Sequence, residues 1–395
     1  MTIAVIITLC VLILIAYLFD VTAAFTKIPS VILLLALGWL VKQLSVSMEI
    51  DIPNLSAILP ILGTVGLILI VLEGSLELEL NKSKIPLVKK SFLVAVIPML
   101  VLAFSAAAII SLLAGYDYKT ALTNVIPLCV ISSSIAIPSA KRFSSYNKEF
   151  VTYESSMSDI LGVIFFNFIG LNASINAGSF GIFFLQIIVI VIVSFVATAL
   201  LALLLSRIEH DIKFVPIILL IILIYEVSKI FHLPSLVFIL VFGLFLGNLD
   251  ELRHVKWLKR FKPNELNKEA HKFLGFIMEI TFLIRALFFL LFGYLIDTQE
   301  LLNINSLSWS ACITAGIYLT RAAMLKLSRL PVRPLLFVAP RGLINILLFL
   351  SIPVAAAMPA LDKSVVIQVI ILTSLVMMIG SMLPGKEKPA AYGQN

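Results

Sequence analysis

Charged residues are scarce. Asp, Glu, Lys and Arg make up 13% of the 395 residues, while 61% are hydrophobic. Soluble domains carry roughly 25% charged residues, so this chain cannot cover itself with a polar surface and a soluble globular fold is excluded. Cysteine and histidine are also rare. Cys10, Cys129 and Cys312 each lie inside an apolar run, without ligand spacing or a disulfide framework. His210, His232, His254 and His271 lie in or near loops and form no cluster. No transition-metal centre and no cofactor are expected, and the sequence reads as a non-enzyme. A Gly-rich nucleotide fingerprint is missing too. The net charge of +7 is spread over short loops, which points to membrane topology rather than to a nucleic-acid partner. Regular apolar/polar alternation is absent, which excludes a transmembrane β-barrel.

What is present is a series of long apolar runs. A helix needs about 20 residues to cross a bilayer. Thirteen runs qualify as spans, at roughly 2–20, 28–44, 55–76, 86–114, 119–141, 150–172, 181–206, 212–231, 234–249, 271–296, 306–327, 332–358 and 363–384. The ninth is short and Pro234 opens it. The predicted fold class is an all-α polytopic membrane protein with thirteen transmembrane helices, in contact with lipid on its outer faces. The first run lacks a basic leader and a small-residue cleavage site, so it reads as a span and not as a signal peptide.

Lys and Arg set the orientation. Twenty-two of them follow odd-numbered spans or lie in the tail, and four follow even-numbered spans. This bias predicts an outside N-terminus and a cytoplasmic C-terminus in a cell membrane. Residues 1–384 read as one transporter unit: repeat one at about 1–172, a linker helix at about 181–206, and repeat two at about 212–384. Residues 385–395 read as a short cytoplasmic tail. Two patterns suggest the repeat. Spans three and ten both end in an apolar run, a glycine (Gly74, Gly293) and an acidic exit (Glu77, Asp297). Two spans later each half has an interrupted helix, Pro127 to Pro138 in span five and Pro340-Arg341-Gly342 with Asn345 in span twelve. Seven spans separate the halves, so they are inverted, and inverted repeats with broken helices point to a transport site near the midplane. The segment from Asp250 to Lys272 carries both signs of charge and reads as an amphipathic linker on anionic lipid.

Charges inside spans are costly, roughly 2.5–3.5 kcal/mol each on insertion scales, so they mark function. Asp159 and Glu154 lie in span six, with Ser155 and Ser158 between them. Asp159 is about ten residues, or roughly 15 Å, from the cytoplasmic end. Ser155 stands one turn from it, and Gly162 permits close approach of another helix. Ser132, Ser133 and Ser134 in span five precede Pro138, which clashes with the carbonyl of Ser134 and predicts a break at the serines. Hydroxyls and freed carbonyls are oxygen ligands for a hard cation such as Na⁺. Arg285, Arg321 and Arg341 also fall within spans. Arg321 is near a cytoplasmic end and reads as snorkelling. Arg341 reads as the ion-pair partner of Glu154. Arg285 reads as charge compensation for one of the buried acids Glu73, Glu154, Asp159, Glu226 and Glu279.

Several segments together resemble the monovalent cation/proton antiporter superfamily across nearly the whole chain. They are Leu72 to Leu78, Glu154 to Gly162, Phe288 to Gly293 and Pro340-Arg341-Gly342. The resemblance implies an inverted-repeat Na⁺/H⁺ antiporter fold with two crossed, unwound helices and a homodimer serving ion and pH homeostasis. It implies a mobile core from spans three to six and ten to thirteen, and a dimerisation domain from the rest. Carried over by residue, Asp159 alternately binds cation and proton, Ser155 is a direct ligand, and Glu154 with Arg341 is a structural ion pair. Glu73 sits on the cytoplasmic side. Ser158 stands where relatives have Asn or Asp, which leaves one titrating acid in the motif. The expected activity is exchange of a monovalent cation, Na⁺ first and Li⁺ or K⁺ next, for protons. A cation channel or uniporter on the same site is one alternative. A Na⁺-coupled symporter of a small organic anion, bound by Arg285 and Arg341, is another.

Overall fold

The computed structural model describes residues 2–26, 28–49, 55–78, 81–140, 143–172, 176–207, 212–249 and 263–382. The expected tail, His210, His254 and the charged linker from Asp250 to 262 lie outside them. The described residues are helical, with no strand among them. The helices in chain order are α1 (Thr2–Thr26), α2 (Ser30–Ser47), α3 (Ile58–Glu77), α4 (Ile85–Ala114), α5 (Tyr118–Cys129), α6 (Ser133–Ser139) and α7 (Ser145–Leu171). They continue as α8 (Ala177–Arg207), α9 (Phe214–Ile230), α10 (Leu236–Gly247), α11 (Pro263–Tyr294), α12 (Ile304–Leu327), α13 (Leu343–Leu350) and α14 (Lys363–Met382). Each of the thirteen apolar runs coincides with one helix, except that run five holds both α5 and α6, and run twelve holds α13 with short turns at Val332–Leu335 and Val354–Ala356. Among the described residues, eight helical stretches are long and apolar enough to cross a membrane.

Local sequence explains the helix ends. Asp117 caps α5, its carboxylate accepting from the N–H groups of Lys119 and Thr120 at 3.1 Å each. Gly115 ends α4 in the left-handed conformation (φ 71°) that glycine adopts without a Cβ penalty. Helix α11 starts at Pro263, about eight residues before the expected edge near 271. Proline is suited to a first helical turn, and an ion pair from Glu269 in the second turn to Lys213 ties this end of α11 to the start of α9. Residues 263–272 of the expected lipid-surface linker are therefore the first turns of α11.

Glycines determine which helices pack closely. A Cβ on Gly38 would sit 2.1 Å from the Leu290 carbonyl oxygen, and one on Gly293 2.4 Å from that of Leu35, so α2 and α11 touch backbone to backbone. A Cβ on Gly247 would sit 2.3 Å from the Leu76 carbonyl oxygen, so α10 packs closely on α3. In a lipid environment such small-residue contacts replace hydrophobic burial as the basis of helix association. Two packing groups result. One holds α1, α2, α3, α8, α9, α10 and α11; the other holds α4, α5, α6, α7, α12, α13 and α14. Spans three and ten, expected in the core, thus pack chiefly on the opposite group. The seam between the groups runs mainly along α3, where Gly63 and Gly66 meet Leu347 and Leu343 of α13, and Gly74 meets Ser156 of α7. Large apolar side chains such as Leu14, Leu112 and Phe195 are exposed on α1, α4 and α8, where lipid would cover them.

Candidate functional site

The site forms where the two interrupted stretches meet inside the second group. The chain unwinds at Val130 to Ser132, which is extended between α5 and α6. The break reaches the expected serines only at Ser132, and Pro138 lies inside α6 instead of breaking it. The break comes from the partner stretch. Arg341 donates from Nε to the Leu128 carbonyl (2.9 Å) and from Nη2 to that of Cys129 (3.0 Å). Asn345 Nδ2 donates to the carbonyls of Pro127 (2.6 Å) and Val130 (2.8 Å). Four consecutive carbonyls at the end of α5 are thus satisfied by two side chains of the other stretch. The Ser132 N–H donates to the Pro340 carbonyl (3.0 Å), closing the crossing. Gly342 is needed here because a Cβ would lie 2.7 Å from Ile135 Cδ1 and 2.9 Å from Ser132 Oγ.

The electrostatics follow from helix ends. The carbonyl end of α5 carries partial negative charge, and the Arg341 guanidinium sits on it. The amide end of α6 carries partial positive charge, and Asp159 faces it. The Ser133 N–H donates to Asp159 Oδ2 at 3.3 Å, and the Ser133 hydroxyl donates to the same oxygen. Asp159 is 2% exposed, and its Oδ1 is buried with no hydrogen-bond partner. Buried polar atoms are rarely left so. An unpaired carboxylate oxygen among hydroxyls can take a proton or a small cation.

The other sequence-selected residues fall as follows. Ser158 accepts from the Ile131 N–H (2.9 Å) and holds the break against α7. Gly162 serves the same approach, since a Cβ there would lie 2.3 Å from Val130 Cγ2. Ser132 and Ser134 share a hydroxyl–hydroxyl bond of 2.8 Å. Ser155 donates to its own helix at the Val151 carbonyl (2.7 Å). Glu73 is half-buried on α3, beside the seam.

The expected Glu154–Arg341 pair is replaced by another. Glu154 pairs with Arg321 of α12, whose Nη1 and Nη2 donate to both carboxylate oxygens, the second at 2.9 Å. The residues are 1% and 2% exposed. The reason is donor economy: the Arg341 fork is occupied by the carbonyls of Leu128, Cys129 and Ala339. Arg321 does not snorkel; its Nε donates to the Leu335 carbonyl at 2.8 Å. Sequence reasoning missed it because it lies near a span end. Its available signal was the small pair Ala322-Ala323 beside it, which leaves room for close approach. Arg285 also departs from expectation. It pairs with Asp20 of α1 (3.5 Å), which Ser30 supports (3.3 Å), and not with Asp159. Both arginines of the expected organic-anion site are therefore engaged elsewhere. Among the described residues, no three His, Cys, Asp or Glu side chains gather as metal ligands.

Comparison with known proteins agrees with this architecture. Two structures of the sodium proton antiporter MjNhaP1 from Methanocaldococcus jannaschii are similar to this chain. The one determined at pH 8 matches with a TM-score of 0.70 at 18% identity, over 96% of this chain and 99% of that one. An electron-microscopy map of the same antiporter matches with a TM-score of 0.66 at 20% identity, over 98% and 100%. At these identities the likeness establishes the antiporter fold. No curated protein matches the sequence. The profile of the transmembrane sodium/hydrogen exchangers matches residues 10–384. The chain belongs to the transmembrane sodium/hydrogen exchanger family and is a membrane-embedded cation/proton antiporter.

Proposed function

We propose that Asp159 is the residue at which cation and proton compete, and that Na⁺ is the preferred cation. The observation that carries this reading is the unpartnered Oδ1 of Asp159, buried at the amide end of α6. The Ser133 hydroxyl, already on Asp159, is the neighbouring oxygen that would share a bound cation with it. Moving an uncompensated carboxylate across the bilayer centre is costly. The site therefore crosses with either a proton or a cation aboard, and this couples the two fluxes. The group containing α4 to α7 and α12 to α14 is the part that moves, and the glycine-locked group is the scaffold. Alternating access then occurs along the α3 seam. The distribution of Lys and Arg supports an N-terminus outside and a C-terminus in the cytoplasm, in a cell membrane. The broad apolar faces of the scaffold suit a homodimer in lipid.

The test uses proteoliposomes carrying an internal pH dye. With the wild-type protein, an imposed Na⁺ gradient moves protons in the opposite direction; with Asp159→Asn it moves none. Na⁺ flux without proton movement in the wild type would mean a channel. Undiminished exchange in Asp159→Asn would remove Asp159 from the mechanism.

A further inference from the structure

Ser156 is unlike its neighbouring serines. Ser132, Ser133, Ser134, Ser155 and Ser158 all have a hydrogen-bond partner. Ser156 is 3% exposed and its Oγ has none. A helical serine can always return its hydroxyl to the carbonyl four residues back, and Ser155 does so. The Ser156 hydroxyl instead points across the seam at Gly74 of α3, where a Cβ would lie 2.9 Å from Oγ. Other unpartnered hydroxyls, on Thr198, Thr281, Thr314 and Ser374, belong to helices that pack within one group. Ser156 alone of these lies on the contact between the groups.

Its position relative to Asp159 is fixed by helix geometry. Residues three apart share a helix face, so Ser156 precedes Asp159 by about 4.5 Å of rise along α7. The same point is reached from α6: Ser133 bonds Asp159, and Ile137, one turn on, is 3.8 Å from the Cβ position of Gly74. Gly74, Ile137 and Ser156 thus meet one turn below the carboxylate, towards the end of α7 that the lysine and arginine bias assigns to the cytoplasm.

We propose that the Ser156 hydroxyl is a further cation ligand, which a monovalent cation engages between the cytoplasm and Asp159 where α7 meets Gly74 of α3. A cation that sheds water needs replacement oxygens along its path, and this hydroxyl has no other bond to give up. The inference rests on Asp159 being the exchange site.

The experiment measures Na⁺- and Li⁺-dependent proton exchange in proteoliposomes for wild type, Ser156→Ala, Gly74→Ala, the double variant and Asp159→Asn, with thermal stability of each. Loss of one neutral ligand predicts a KM for Na⁺ raised about 3- to 10-fold in Ser156→Ala, with kcat and stability little changed. Gly74→Ala displaces the hydroxyl and raises KM similarly. In the double variant the two effects do not add, because the added methyl meets no hydroxyl. An unchanged KM in Ser156→Ala overturns the proposal, as does a fall in stability or kcat alone, which marks a packing role. If Asp159→Asn abolishes exchange while Ser156→Ala keeps its KM, only this inference fails. If Asp159→Asn retains exchange, the underlying site assignment fails with it.

Discussion

Arg321→Met removes the guanidinium that neutralises Glu154 where both residues are almost fully buried. Breaking a buried pair by removing one partner costs about 3–5 kcal/mol, because the surviving charge is left uncompensated. The substitution also strips the Leu335 carbonyl of its bond from Nε, and an unsatisfied buried group costs about 1–3 kcal/mol. The expected loss therefore lies at the upper end of the first range. Glu154→Gln removes the stranded charge, so the double variant recovers a large part of it. The assay is reversible unfolding in mixed micelles, arranged as double-mutant cycles. Residues in one network couple by about 0.5–3 kcal/mol. Positions 154 and 321 should fall within that range, and positions 154 and 341 near zero. Stronger coupling of Glu154 to Arg341 than to Arg321 would refute the pairing.

Other outcomes follow from the same geometry. Asn345→Ala bares the carbonyls of Pro127 and Val130, so unfolding should become easier by about 1–3 kcal/mol per orphaned group, and exchange should fall as the crossing loosens. Gly162→Ala places a methyl against Val130, with an overpacking cost of about 1–3 kcal/mol; Val130→Ala in the same chain should restore both stability and exchange. Competition at Asp159 predicts that the apparent KM for Na⁺ rises as pH falls, approaching tenfold per pH unit at the acid limit, and a KM independent of pH would contradict it. In the loop after α11, hydrogen bonding from Lys42 holds the Asp297 carboxyl below its usual range. Its small stabilising contribution is present above the ordinary carboxylate pKa and is lost as pH falls through the lowered one. A thermal-stability profile of Lys42→Met should lose that acid-side step.

The architecture was legible because lipid imposes simple rules. Apolar length located the helices, although run five divides into α5 and α6 and run twelve into α13 and short turns. The two breaks were visible as Pro127 to Pro138 and Pro340 to Asn345. Their cause was not, because the carbonyls of Pro127 to Val130 are satisfied by donors more than 200 residues away, on Arg341 and Asn345. Asp159 stood out as a charge at mid-span. The ion-pair partners did not, because choosing among Arg285, Arg321 and Arg341 requires knowing how many donors each has already committed. Ser156 and Ser155 look alike in sequence, and only the rotation of α7 against α3 separates them.

The central claim is that a cation and a proton exclude each other at Asp159. Titration calorimetry of Na⁺ into the detergent-solubilised protein, repeated in buffers of different ionisation enthalpy, counts the protons released per cation bound. The account predicts release from the wild type that vanishes, together with Na⁺ binding, in Asp159→Asn. Proton release that persists in Asp159→Asn would contradict it.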